Sequence, residues 1–232
     1  YHWEDGIGPR SERPRTWNYF FGGEESNEFG TDEFLRLCEA IGAEAWIKIN
    51  AHTAGLGDTI KWMQYCNYEG NTHLSNLRRE NGHPKAYGVK YWSIGNEGND
   101  AYSPEAYAEQ VHQWTFHMRP ADPDGRIVVT GLGGGDWNRR FLARYAALLK
   151  DGFVATSGMI HALGLKYVDE EEIKDAASLL DEYLGPDQVD VAVEEWATRG
   201  EPLLPWPADF DGLTVWEALL RSNELDPRCY EE

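Results

Sequence analysis

Two glutamates stand where a predicted β-strand ends. Glu97 follows the run VKYWSI and a Gly-Asn pair, and Glu195 follows VDVAVE. A carboxylate that closes an apolar run is too costly to leave unpaired in a core, so it caps a helix, meets solvent or works in a cleft. Either glutamate alone fits a helix-start carboxylate. Together, at the ends of strands three steps apart, they suit a reaction that needs one protonated and one ionised carboxyl. Cleavage of a glycosidic bond is such a reaction. One group protonates the leaving oxygen, and the other stabilises or attacks an oxocarbenium-like centre. In the retaining form the ionised group attacks, the acid then turns base and activates water, and the carboxyls lie about 5–5.5 Å apart. The two environments must push the pKa values apart.

Other chemistries find less in the chain. Ser157 and Ser222 lack a nucleophile elbow, and no H-E-x-x-H occurs. His112 and His117 are five apart and do not share a helix face. GLGGG at 131–135 lacks the spacing of a dinucleotide-binding loop. The three cysteines, Cys38, Cys66 and Cys229, are odd in number and widely spaced, which implies neither a disulfide framework nor a zinc site. No metal and no cofactor is expected. The thiols favour a reducing compartment, so a cytoplasmic location is expected. A formal charge of −19 excludes nucleic acid and anionic membranes as partners. No apolar run approaches the roughly 18 residues of a membrane span. Ten Trp, twelve Tyr and eight Phe supply rings for a core and for stacking on sugar faces.

The elements that must position the glutamates alternate. Helices are predicted over 31–42, 57–67, 137–150 and 170–184, with another starting at Ser103-Pro104-Glu105, a hydroxyl cap followed by proline. Short apolar strands are predicted over 45–50, 89–94, 126–130, 158–162 and 189–194, and 68–88 as a polar connection. Such alternation indicates parallel βα units, which a doubly wound sheet and a (β/α)8 barrel both satisfy. A barrel would gather both glutamates on its C-terminal face. Residues 1–200 read as the catalytic barrel portion and 201–232 as a divergent, irregular segment.

YWSIGNEG resembles the Asn-Glu signature closing the fourth barrel strand of the clan A glycoside hydrolases, and VAVEEW resembles their nucleophile strand, the seventh. YHWEDGIGPRSERP, ESNEFGTDEF, AIGAEAWIKIN, LRRENGHPKAYGVKYWSIGNE and MRPADPDGRIVV are similar, in the same order, to family 51, the α-L-arabinofuranosidases. The resemblance covers roughly residues 1–200. It implies an α/β chain carrying about strands 3 to 7 of a (β/α)8 TIM barrel, so the barrel is incomplete. It also implies a retaining hydrolase that releases terminal α-L-arabinofuranosyl residues from polysaccharides or oligosaccharides. Glu97 would be the acid/base, Glu195 the nucleophile, and Asn96 the partner of the sugar 2-hydroxyl. His161 would stand at the end of the sixth strand, Trp196 beside the nucleophile, and Phe21 in place of an aromatic platform that is usually Trp. A carbohydrate substrate and a homo-oligomer are implied as partners.

The chain also departs from the family's pattern. Leu163 stands two residues after His161, where a Tyr is usual. Glu194 replaces the Asp of an Asp-Glu-Trp motif. An Arg-Tyr-Pro-Gly-Gly-Asn-Phe segment, expected before Tyr1, is not in the sequence, and neither the last barrel strand nor a C-terminal β-sandwich is recognisable after Thr198. Two rival readings follow: another clan A glycosidase, such as an endoglucanase or xylosidase, or a catalytically silent sugar-binding fragment.

Overall fold

The computed structural model describes residues 1–97, 101–132, 136–151, 159–166 and 168–195, all within the unit Tyr1–Trp196; of Glu195 it describes the backbone. Two short 3-10 turns, Trp3–Gly6 and Arg10–Glu12, precede a hairpin of two-residue strands, β1 (Thr16–Trp17) against β2 (Glu24–Glu25). Then follow α1 (Thr31–Ile41), β3 (Trp46–Ile49), α2 (Leu56–Asn67), α3 (His73–Glu80), β4 (Tyr91–Ile94) and α4 (Pro104–Ala121). The rest are β5 (Arg126–Thr130), α5 (Asp136–Asp151), β6 (Ala162–Lys166), α6 (Glu170–Leu184) and β7 (Asp190–Glu195).

Capping chemistry sets several of these starts. Ser103 Oγ accepts from the Ala106 N–H at 3.2 Å, with Pro104 as the first helical residue of α4. The Asp169 carboxylate accepts from the Glu172 N–H at 3.0 Å to open α6, and the Glu172 side chain returns the contact.

β3 to β7 form one parallel sheet in the order β3-β4-β5-β6-β7, each strand beside its neighbour in sequence. That order decides between the two folds left open by the sequence. A doubly wound sheet reverses direction at a switch point, whereas a barrel adds strands one after another. Curvature agrees. The outer strands of a flat five-stranded sheet lie four spacings apart, about 19 Å. Here Lys48 of β3 reaches Glu194 of β7 with Nζ and Oε2 at 3.3 Å. The sheet is therefore a curled arc, part of a (β/α) barrel.

Alternation along each strand separates two faces. Ile47, Ile49, Trp92, Ile94, Ile127, Val129, Leu163 and Leu165 are buried against the helices. Each contributes about 1.5–3 kcal/mol relative to exposure. The intervening residues, among them Trp46, Lys48, Ser93, Val128 and Gly164, line the concave face.

Two expectations need correction. The strand predicted over 158–162 is β6, Ala162–Lys166, which begins at the last residue of that range. Ile160, Leu163 and Leu165 are all buried, so an apolar run continues through the region and its composition does not mark where pairing begins. The predicted connection 68–88 contains α3. Its buried face carries Ser75 and Arg78, with Leu74 and Leu77 only partly covered, so no apolar stripe announces it. Arg78 is held at the end of the helix before it, where its Nη1 donates to the carbonyls of Tyr65 at 2.6 Å and Tyr68 at 3.1 Å, while its Nε and Nη2 are buried without a partner among the described residues.

Candidate active site

Parallel strands deliver their C-terminal ends to one rim. β4 ends at Ile94, and the chain turns through Gly95, Asn96 and Glu97. Gly95 has φ 77° and lies where a Cβ would meet that of Ala51 at 3.4 Å. Glu97 has φ 48°, a left-handed conformation that costs a residue with a Cβ about 1–2 kcal/mol. Non-glycine residues held this way cluster at functional sites. Two ties hold the turn. The Gly95 N–H donates to the Ile49 carbonyl at 3.1 Å, joining the ends of β3 and β4. The buried Tyr107 hydroxyl, from α4, donates to the Ile94 carbonyl and accepts from the Thr130 N–H at 3.1 Å, joining the ends of β4 and β5. Burial pushes this phenol up, so it remains protonated and keeps the donated bond.

A chain of polar side chains crosses the concave face beneath Glu97. Trp46 Nε1 donates to Ser93 Oγ at 2.8 Å, and Ser93 Oγ donates to Glu194 Oε1 at 2.9 Å. The Glu194 side chain is fully buried and meets Lys48 Nζ at 3.3 Å. Lys48 Nζ also donates to Asn96 Oδ1 at 2.8 Å. Lys166, at the end of β6, donates to the same oxygen at 2.6 Å and lies 3.4 Å from Glu97 Oε1. Gly164 makes room for this arrangement, since a Cβ there would stand 2.4 Å from Cγ and Cδ of Glu194.

β7 brings the second predicted glutamate to the same rim. Leu165 pairs with Val193 and Lys166 with Glu195, so the register shifts at Glu194 and leaves it as the extra residue of a bulge. The Glu195 backbone thus stands beside Lys166, whose ammonium is at Glu97. Three of the residues singled out in the sequence, Asn96, Glu97 and Glu195, share this rim. Trp196 lies outside the described residues. Phe21 is 84% exposed in the β1–β2 turn, where its ring meets Phe20 at 5.1 Å edge to face.

His161 is not brought to the rim. It precedes the first residue of β6, with its N–H on the Ile127 carbonyl and its own carbonyl accepting from Asp190, at the opposite end of the sheet. The expected strand-end placement fails because β6 begins after it. Leu163, read as a departure beside this histidine, is a buried residue facing the helices. The His161 ring accepts from the Ile127 N–H at 2.9 Å and packs on the Arg119 guanidinium. Burial, then the charges of Arg119 and Arg126, push its pKa from 6.5 down to about 4, against a smaller opposing effect of Asp190. A base whose folded pKa is depressed contributes stability above its unfolded pKa, and that stability is lost as pH falls through the interval. The urea midpoint is therefore expected to drop between pH 6.5 and pH 4 more steeply in the native chain than in His161→Gln. Parallel curves would show that the imidazole is not held neutral.

Lys48 and Lys166 were not singled out by the sequence reading. Lys48 was visible as the lone charge inside AWIKIN, flanked by isoleucines that face the helices. Lys166 was hidden by the early placement of β6. Among the described residues no group of three or more His, Cys, Asp or Glu is arranged to hold a metal ion. No helix of the described residues is long and apolar enough to cross a membrane.

Comparison with known proteins gives this geometry a family. Residues 1–157 match the model of the α-L-arabinofuranosidase 1 domain. A probable α-L-arabinofuranosidase C of Aspergillus flavus is 40% identical over 139 residues, which is 58% of this chain and 28% of the relative. An intracellular exo-α-L-arabinofuranosidase of Bacteroides ovatus is 37% identical over 145 residues, 61% of this chain and 28% of the relative. The crystal structure of the α-L-arabinofuranosidase from Thermotoga maritima in complex with arabinose superposes with a TM-score of 0.74 at 32% identity, over 84% of this chain and 43% of that one. The chain thus spans less than half the length of the relatives it matches. The family-model match and the shared arc of strands together show that this chain belongs to glycoside hydrolase family 51, the α-L-arabinofuranosidases.

Proposed function

We propose that this chain carries the acid/base and nucleophile strands of a retaining α-L-arabinofuranosidase. The observation that carries the reading is the strained Glu97 at the end of β4, with the last residue of β7, Glu195, on the same rim. In this reading Glu97 protonates the glycosidic oxygen while Glu195 attacks the anomeric carbon of a terminal α-L-arabinofuranosyl residue. Glu97 then takes a proton from water as the glycosyl-enzyme is hydrolysed. Asn96 bonds the sugar 2-hydroxyl, Trp196 packs beside the nucleophile, and Phe21 offers an exposed ring for stacking. His161 has no part in the chemistry. Residues 1–200 supply the catalytic portion and 201–232 a divergent segment. The substrate is an arabinose-bearing polysaccharide or oligosaccharide, and the protein works as a homo-oligomer in the cytoplasm. The Bacteroides ovatus relative, named as intracellular, supports that location.

A panel of aryl α-L-arabinofuranoside, xyloside and glucoside substrates tests this. Turnover is expected on the arabinofuranoside ahead of the other two. Preference for the glucoside or xyloside would replace the reading with another clan A activity. Sugar binding without turnover would favour the silent-fragment reading.

A further inference from the structure

The Asn96 side chain has a defined orientation. An amide offers an oxygen that only accepts and a nitrogen that only donates, whereas a lysine ammonium has three donors and no lone pair. One Asn96 atom lies 2.8 Å from Lys48 Nζ and 2.6 Å from Lys166 Nζ. With two ammonium groups at that distance it has to be the oxygen. The two cations would repel one another, but each has a carboxylate beside it, Glu194 for Lys48 and Glu97 for Lys166. Charges thus alternate from the buried interior to the rim, with the amide oxygen at the middle of the series. Asn96 is exposed, so its NH2 group is left to face outward from the strand ends.

We propose that Lys48 and Lys166 are positioning residues that fix the Asn96 amide with its oxygen inward and its NH2 outward, so that the site presents an N–H donor to a hydroxyl oxygen of the sugar beside Glu97. Without them the amide can rotate and present its oxygen, which could only accept from the same hydroxyl. The sugar contact rests on the hydrolase reading given above, whereas the orientation of the amide does not.

The orientation is tested in the full chain by its side-chain amide resonances. The Asn96 pair is identified by its loss in Asn96→Ala. Lys166→Met is expected to move that pair, whereas Lys174→Met, an exposed control on α6, is expected to leave it in place. Lys166→Gln, which keeps an N–H donor, is the second variant should Lys166→Met unfold, and it is expected to shift the pair less. For the other lysine, Lys48→Met combined with Glu194→Leu avoids stranding a buried charge. An unmoved Asn96 pair in both backgrounds would overturn the proposal. The sugar contact is tested by turnover of an aryl α-L-arabinofuranoside and its 2-deoxy analogue. Lys166→Met should lose about 10–100-fold on the parent, the scale of one hydrogen bond to an oriented partner, mainly in kcat. Lys166 also neighbours Glu97, so any loss common to both substrates belongs to that contact; the ratio of parent to 2-deoxy rate should fall, and Lys166→Met should lower that ratio no further in Asn96→Ala. An equal loss on both substrates would overturn the sugar contact. If the native chain turns over neither, the hydrolase reading fails, while the amide spectra still decide the orientation.

Discussion

Replacement of Glu195 by alanine is expected to reduce arabinofuranoside turnover by on the order of 10⁴-fold or more, as loss of a nucleophile does. Added azide should restore part of the rate by attacking the anomeric carbon in the space the carboxylate vacates. Glu97 still protonates the departing oxygen, so the product is a glycosyl azide of inverted configuration. Glu97→Ala should behave differently. Its loss is expected to be about 10²–10⁴-fold on substrates with poor leaving groups, the range of general acid catalysis, and small on activated aryl glycosides. There azide should intercept the glycosyl-enzyme and give the retained product. Product stereochemistry read by NMR therefore assigns the two roles separately. Equal rates for the native chain and Glu195→Ala would remove Glu195 from the mechanism.

A second large effect is expected in stability. Lys48→Met leaves the Glu194 carboxylate fully buried with Ser93 as its remaining neutral donor among the described residues. Breaking a buried pair from one side costs about 3–5 kcal/mol. Lys48 keeps 31% of its side-chain surface in solvent, so the lower end, about 3 kcal/mol, is expected. Glu194→Leu introduced together with Lys48→Met removes the stranded charge. Most of the loss should return, save about 1 kcal/mol for the Ser93 hydroxyl left without its acceptor. Urea unfolding of the two single variants and the double variant measures this. A double variant no more stable than Lys48→Met would show that the carboxylate is not the source of the cost.

The βα alternation was legible because each strand keeps a clean apolar pair, as in Ile47 with Ile49 or Ile127 with Val129, and because caps such as Ser103-Pro104 punctuate the chain. Glu97 was legible for the same reason: a Gly-Asn-Glu turn that closes VKYWSI has few structural uses. Three features were not legible, each for a physical reason. The start of β6 was misjudged because apolar residues continue on both sides of His161, from Met159 and Ile160 to Leu163 and Leu165, so composition does not mark where pairing begins. That error carried His161 to the wrong end of the sheet and hid Lys166. Helix α3 was missed because its buried face holds Ser75, which bonds the carbonyls of the preceding turn, and Arg78, which bonds carbonyls at the end of another helix. Lys48 and Glu194 were missed as a pair because charged residues in a strand read as solvent-facing. Only the curl of the sheet brings these two together from opposite edges.

The consecutive strand order also bears on how the arc assembles. Trp46 and Ser93, on adjacent strands, are 47 residues apart, while Lys48 and Glu194 are 146 apart. Made directly from an unfolded chain, the longer loop costs about 1 kcal/mol more in closure entropy than the shorter one. Once the intervening strands have paired, their curvature has already brought the outer edges together, and that extra cost disappears. Neighbour-by-neighbour growth is therefore the least expensive route, with the contact between first and last strands made at the end. A contact formed that late is absent from the rate-limiting barrier, so weakening it speeds unfolding and leaves the folding rate nearly unchanged. The lysine and glutamate that join the edges thus act as a latch on the lifetime of the folded arc.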